Sequence, residues 1–300
     1  MSQITVLDGG TGRELQRIGA PFQQPEWSAL ALLEAPTFVT RVHAAYVAAG
    51  ADVITTNSYA VVPFHIGDGR FAAHGARLAA LAGRLAREVA DGADRTVAVA
   101  GSLPPICGSY RADWFDAASA RPILATLVEA LRPYADHWQA ETLSGIEEAE
   151  MVRDVVGTDA KPLWLSFTLA DEDNGVRGGQ PRLRSGQSVV DAVLAAERLG
   201  AAAILFNCSQ PEVMGDAVSV AAETRRAGAS PRLRIGVYAN AFAPLRESAA
   251  ANAQLHDIRA DLTPHGYLLW AQDWVARGAE IIGGCCGIGP EHIAALRAAF

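Results

Sequence analysis

The sequence predicts an α/β fold, a (β/α)8 TIM barrel in a single domain over residues 1–300. Eight short β-rich runs are each followed by a longer alanine- and leucine-rich segment of helical period, the count such a barrel requires. Several strands are preceded by a glycine that suits a helix end turning into a strand, as in Ala49-Gly50-Ala51, Leu199-Gly200-Ala201 and Arg277-Gly278-Ala279. The chemically unusual residues follow many different strands, whereas a doubly wound sheet gathers them at one crevice. That alternative also lacks its Gly-x-Gly-x-x-Gly after the first strand.

In chain order, a strand over 4–7 runs into Asp8-Gly9-Gly10-Thr11-Gly12, and a helix over 38–49 leads to a strand over 52–56. Helix 71–90 precedes strand 97–101, and helix 121–134 precedes strand 138–141, which ends in Glu141-Thr142. Helix 146–156 leads to strand 163–167, and helix 188–199 to strand 202–206, followed by Asn207-Cys208. Helix 211–227 precedes strand 234–238, helix 265–277 precedes strand 280–282, and helix 290–299 ends the chain. The long connections 171–187 and 240–262 are of a length that is often functional in compact domains.

Half of the residues are hydrophobic and 19% are charged, enough apolar material for a sizeable core. A formal net charge of −8 repels nucleic acid and anionic membrane, so neither is expected as a partner. The N-terminus has no basic segment followed by a long apolar stretch, and no run is long and apolar enough to span a bilayer. The expected location is cytoplasmic, with the four cysteines as reduced thiols rather than a disulfide framework. Oligomeric state leaves no readable mark.

Three of those cysteines fall at predicted strand ends: Cys208 after the sixth strand, and Cys285 and Cys286 in Gly283-Gly284-Cys285-Cys286-Gly287 after the eighth. Adjacent side chains on a regular strand point to opposite faces, so Cys285 and Cys286 share one ion only where the strand has ended. The flanking glycines permit that turn. Three thiolates form an open zinc site with the fourth position left for a substrate. Cysteines are also small buried hydrophobes, the reading that suits Cys107, and a vicinal Cys285–Cys286 disulfide is a further alternative.

Asp8 with the glycine amides behind it has two readings: a clamp for both ends of an amino acid, or a helix N-cap and turn. Glu141 would point into the same mouth as a second acceptor for an ammonium. Asn207 could bind a ligand, orient the metal site or close a turn. Thr55, Thr56, Asn57, Ser58 and Tyr59 close the second strand; one or two of them line the pocket, Tyr59 being taken as a substrate contact. Tyr238 and Asn240 play the same part after the seventh strand. His65 could reach the mouth. His43, His74, His137, His256, His265 and His292 fall on helices or loops without metal-site spacing.

Taken together these segments resemble the homocysteine S-methyltransferases over essentially the whole chain. The similarity runs through Asp8-Gly9-Gly10-Thr11-Gly12-Arg13-Glu14-Leu15, Ile54-Thr55-Thr56-Asn57-Ser58-Tyr59, Glu141-Thr142-Leu143, Ser166-Phe167-Thr168, Asn207-Cys208 and Gly283-Gly284-Cys285-Cys286-Gly287. The resemblance implies a (β/α)8 barrel with zinc on Cys208, Cys285 and Cys286, and homocysteine bound to zinc by its sulfur. It also implies that Asp8 and Glu141 hold the amino group and that backbone near Gly9 and Gly10 holds the carboxylate. Two departures stand out. Leu205-Phe206-Asn207-Cys208 lacks the glycine of the family's Gly-x-Asn-Cys. Thr142 replaces the tyrosine typical of betaine-using members, so the chain looks more like the S-methylmethionine branch.

The implied reaction is methyl transfer from a sulfonium donor, S-methylmethionine or S-adenosylmethionine, to homocysteine, giving methionine. Transfer to another thiol or a selenol is the nearest alternative. A non-catalytic zinc or redox sensor is the alternative of a different class, and it has no need of Asp8 and Glu141 beside the cysteines.

Overall fold

The computed structural model describes residues 4–171, 180–228, 232–242 and 257–300. His256 and, within the two long connections singled out above, residues 172–179 and 243–256 lie outside the described residues. Eight parallel strands form one sheet: β1 Thr5–Val6, β2 Val53–Thr55, β3 Ala98–Leu103, β4 His137–Leu143, β5 Leu163–Phe167, β6 Ala203–Asn207, β7 Arg234–Tyr238 and β8 Ile281–Ile282. Their order is β1-β8-β7-β6-β5-β4-β3-β2. A parallel bridge between Leu7 and Val53 joins the two ends, with Asp8 N donating to Val53 O at 3.0 Å. The sequence therefore folds as the predicted (β/α)8 barrel.

Side-chain alternation sorts the strand residues into two cores. Leu7, Val53, Ala100, Trp164, Ala203, Leu205, Tyr238 and Ile281 cluster together and fill the barrel. Their neighbours Val6, Ile54, Val99, Leu165, Ile204, Ile235 and Ile282 belong to the larger core shared with the helices.

The helices between strands are α3 Pro36–Ala48, α5 Asp68–Asp91, α6 Ala117–Leu131, α7 Ile146–Val156, α8 Val189–Arg198, α9 Pro211–Ala227, α10 Pro264–Arg277 and α11 Pro290–Ala299. Side-chain caps start three of them. Asp116 accepts from Ala118 N and Ser119 N, Ser188 accepts from Asp191 N, and Thr263 accepts from Gly266 N. The Asp116 cap starts α6 four residues before the predicted 121, leaving Pro122 inside the helix. Three short helices escape the periodicity: α1 Thr11–Arg17, α2 Ala29–Glu34 and α4 Pro63–Ile66. His137, expected on a helix or loop, instead opens β4, with its ring 4.0 Å from that of Trp164. No helix among the described residues is long and apolar enough to cross a membrane.

Candidate active site

The strand ends of β1, β2, β4, β6, β7 and β8 open into a cavity of about 120 Å³. That is space for a small organic molecule rather than a single water. Its walls carry Asp8, Glu141, Cys208, Cys285 and Cys286, and among the described residues include no lysine or arginine.

Asp8 continues β1 and does not cap a helix. α1 is capped by Gly10 without a side-chain bond, which removes the N-cap reading. The Asp8 carboxylate instead accepts from Thr55 N at 2.7 Å and Thr55 Oγ1 at 3.0 Å. Glu141 is reached by the Ser102 hydroxyl, and Tyr238 OH donates to its Oε2 at 3.4 Å. Burial pushes both carboxyls up to about 7. Thr55 works against that rise at Asp8, and Ser102 does so at Glu141. Two buried carboxyls, with no cation among the described lining residues, are poised to take up a cationic group.

Glu141 owes its aim to an irregularity. The β4–β5 register shifts between Ala140 and Leu143, and Thr142 has a left-handed φ of 60°. A β-branched residue there is a genuine outlier, and a bulge of this kind re-aims the adjacent side chain. Asn207 at the end of β6 pins it: its Oδ1 accepts from Thr142 N at 2.9 Å, and its Nδ2 donates to Thr142 Oγ1 at 2.9 Å. Ser166 Oγ also donates to Asn207 Oδ1, at 2.8 Å. Asn207, expected as a substrate contact, is therefore a correction. Its amide is engaged across the strands, and it is not among the cavity-lining residues.

The three cysteines converge. Their Sγ atoms lie within 4.8 Å of one another, and Cys208 Sγ is 2.8 Å from Cys285 Sγ. All are free thiols. Cys285 N donates to Ala239 O at 2.9 Å, and Ala241 N donates to Cys286 O at 2.8 Å, so the pair is strapped to the end of β7. Only part of the predicted role of the glycines holds. Gly287 has a left-handed φ of 85° and makes the turn. Gly283 and Gly284 serve close packing instead: a Cβ would lie 2.5 Å from Leu7 Cβ at the first and 2.2 Å from the Ile288 side chain at the second.

The donor set suits a soft metal. Zinc–sulfur bonds of about 2.3 Å in a tetrahedron place sulfurs about 3.8 Å apart, within reach of this spacing. Hydrogen bonds from Cys208 and Cys285 hold the Cys286 thiol well below its usual value, while those same contacts and burial push Cys285 up. Protons alone thus allow one thiolate shared by two thiols. A cation is the natural means of ionising all three.

Gly9 and Gly10 both line the cavity, but Gly10 N donates to Ile288 O at 3.0 Å. It is not available to a substrate carboxylate, contrary to expectation; Gly9, Thr11 and Gly12 share that wall. A Cβ on Gly10 would lie 2.5 Å from Cys285 O and 2.9 Å from Cys286 Cα. Gly10→Ala should therefore push on the cysteine pair. The expected outcome is a loss of about 1–3 kcal/mol in stability and at least about 10-fold in metal affinity, read by thermal melting and metal titration.

Tyr59 lines the wall as expected, its OH 2.5 Å from Ser109 Oγ. His65 reaches the wall, and its Nδ1 lies 3.0 Å from Pro25 O. Tyr238 lines it too, whereas Asn240 turns its Oδ1 to Phe242 N at 3.1 Å. Thr55, Thr56 and Asn57 take part as well. Cys107 is half-buried, with Sγ 4.0 Å from Asp116 O. Trp27, Tyr110, Gln139 and Phe242 also line the wall and were not anticipated. Trp27 (φ 52°), Tyr110 (67°), Thr142 (60°) and Cys208 (53°) are the non-glycine residues with positive φ among those described, and all four line the cavity. Strain of this kind gathers at functional sites, but nothing in a non-glycine residue type announces it.

The sequence profile of the homocysteine S-methyltransferases matches residues 5–300. A selenocysteine methyltransferase of Astragalus bisulcatus is 27% identical, covering 97% of this chain and 90% of its own length. A homocysteine S-methyltransferase of Escherichia coli K12 is 29% identical, covering 98% and 94%. The metallated form of the Escherichia coli homocysteine methyltransferase MmuM superposes with a TM-score of 0.77 at 28% identity, covering 99% of this chain and 96% of that one.

Proposed function

The chain belongs to the homocysteine S-methyltransferase family, and we propose that it moves a methyl group from a sulfonium donor to the thiol of L-homocysteine with zinc on Cys208, Cys285 and Cys286. The observation that carries this reading is one cavity wall holding both the three sulfurs and the carboxylates of Asp8 and Glu141. A zinc or redox sensor would need only the sulfurs. Bound there, zinc would supply Lewis acidity that keeps a substrate thiol deprotonated at neutral pH.

The residues of the chain do the rest. Asp8, fixed by Thr55, and Glu141, fixed by Ser102 and Tyr238, receive the α-ammonium. The wall of Gly9, Thr11 and Gly12 lies beside Asp8 and receives the carboxylate end. The donor meets a wall with the rings of Trp27 and Tyr59, which attract a positively charged sulfonium, whereas Tyr110 and Phe242 carry Arg184 and Arg13 over their rings at 4.9 and 5.3 Å. In the transfer the donor's sulfur–methyl bond breaks, its electron pair stays on that sulfur, and a new sulfur–carbon bond forms on the acceptor. The donor leaves as a neutral thioether, so no proton donor is needed. That accords with His65, whose burial lowers its pKa to about 4 and keeps the ring neutral. A selenol acceptor is the second reading, favoured by the similarity to the Astragalus selenocysteine methyltransferase.

The test is product formation from homocysteine with S-methylmethionine, S-adenosylmethionine and betaine, with and without a chelator. Sulfonium donors should yield methionine, betaine should not, and the chelator should abolish turnover. Full turnover after complete metal removal would sink the zinc assignment, and use of betaine alone would sink the sulfonium assignment.

A further inference from the structure

Asn207 ends β6 one residue before Cys208, and its carboxamide reaches past β5 to Thr142 on β4, the residue after Glu141. A backbone N–H can only donate, so the amide oxygen must face Thr142 N and the amide nitrogen must face Thr142 Oγ1. Oδ1 accepts from Thr142 N at 2.9 Å and from Ser166 Oγ on β5 at 2.8 Å, and Nδ2 donates to Thr142 Oγ1 at 2.9 Å. Asn207, Thr142 and Ser166 are all buried, so one side chain stitches three strand ends together out of reach of solvent. A second link runs the other way round. Asn207 pairs in register with Tyr238 on β7, whose hydroxyl donates to Glu141 Oε2 at 3.4 Å.

The residues joined by this amide are strained. Thr142 (φ 60°) and Cys208 (φ 53°) both hold left-handed backbone, which non-glycine residues keep only where the surroundings over-determine it. At Thr142 the Asn207 amide supplies two of those constraints. The path from Glu141 through Thr142 and Asn207 to Cys208 thus joins an ammonium acceptor to a sulfur ligand by one carboxamide. Moving one end against the other breaks a buried hydrogen bond, and a buried donor left without its acceptor is costly.

We infer that Asn207 is a positioning residue for acceptor specificity: it fixes the separation between the sulfur site and the Glu141 carboxylate, and so selects the chain length of the amino-acid thiol. In homocysteine two methylenes lie between the sulfur and the α-carbon, and in cysteine one. A clamp held at one separation lets the longer acceptor engage both ends, whereas the shorter one, held by its sulfur, leaves its ammonium short of the carboxylate. A loose clamp would adjust to either. Asn207 is not among the described cavity-lining residues, so it acts through Thr142 and Glu141, which are. The inference rests on the homocysteine reading above.

Dissociation constants of the metal-loaded protein for homocysteine and for cysteine, measured by calorimetry, test it. The wild type should prefer homocysteine. Asn207→Ala drops the bonds to Thr142 and Ser166 and should shrink that preference by about 10-fold or more, with metal content unchanged. Thr142→Gly is the second variant, since glycine adopts a φ of 60° without strain and the fold does not depend on the lost hydroxyl. It keeps the N–H bond to Asn207, loses the hydroxyl contact and frees the bulge, so it should shrink the preference in the same direction by a smaller factor. An unchanged preference in Thr142→Gly and in folded Asn207→Ala would overturn the inference. So would an equal loss of affinity for both thiols, the mark of a purely structural role, or loss of the metal. A wild type that binds both thiols equally would also overturn it, while leaving the homocysteine reading standing. Binding of neither thiol by the wild type would overturn the homocysteine reading and this inference with it.

Discussion

Replacing Cys286 by alanine is expected to strip the metal and, with it, methyl transfer. Cys286 is the thiol most readily ionised of the three, held low by hydrogen bonds from Cys208 and Cys285. Two sulfurs would remain where three lie within 4.8 Å, and an open site built on two protein ligands is short of the three that such sites use. The loss should exceed the about 10- to 100-fold penalty for removing a mere outer partner of a ligand. The fold should survive, because the backbone strap from Ala241 N to Cys286 O does not involve the side chain. Elemental analysis after dialysis, a thermal melt of the metal-free protein and a methyl-transfer assay give the three readings. A variant that keeps one metal per chain would sink the three-cysteine site.

Cys208, Cys285 and Cys286 could be read together in the sequence because each follows an apolar run, and the barrel brings strand ends to one face. Strand β5 and helices α7, α9 and α11 were legible to the residue. Gly145 and Gly157 punctuate α7, and Pro211 and Pro290 open the other two helices. The helices of seven, six and four residues were not legible, being too short for a periodic stripe to emerge. The aim of Glu141 was hidden for a different reason. It depends on the Thr142 bulge, and that bulge is held by Asn207 from a strand 65 residues away. The same holds for the left-handed Trp27 and Tyr110, which tertiary packing imposes on residue types that do not favour that conformation. Gly10 shows the converse: its residue type invited a role for its amide, but the fold uses its missing side chain to bring α1 against the cysteine pair.

Glu141→Gln should weaken homocysteine binding while leaving the metal in place. The variant keeps the shape and one accepting oxygen for Ser102 or Tyr238, places an NH2 where the other oxygen accepted, and removes a charge facing the ammonium. Loss of one charge-assisted bond costs about 1.5–3 kcal/mol, roughly 10- to 150-fold in dissociation constant. Its pH dependence carries a distinct signature. Burial raises Asp8 and Glu141 to about 7, so both carboxyls are largely protonated at pH 6 and largely ionised at pH 8. The substrate ammonium binds the ionised forms, so binding expels the protons still held. Affinity should therefore fall as pH drops through 7, with a limiting slope near three protons, two from the carboxyls and one from the substrate thiol that the metal keeps deprotonated. Removing the Glu141 titration should cut that slope toward two, leaving Asp8 and the thiol to account for the remainder. Calorimetry in buffers of different ionisation heat counts those protons directly. An unchanged slope in Glu141→Gln would mean that Glu141 does not meet the ammonium, and loss of metal would move it into the metal site.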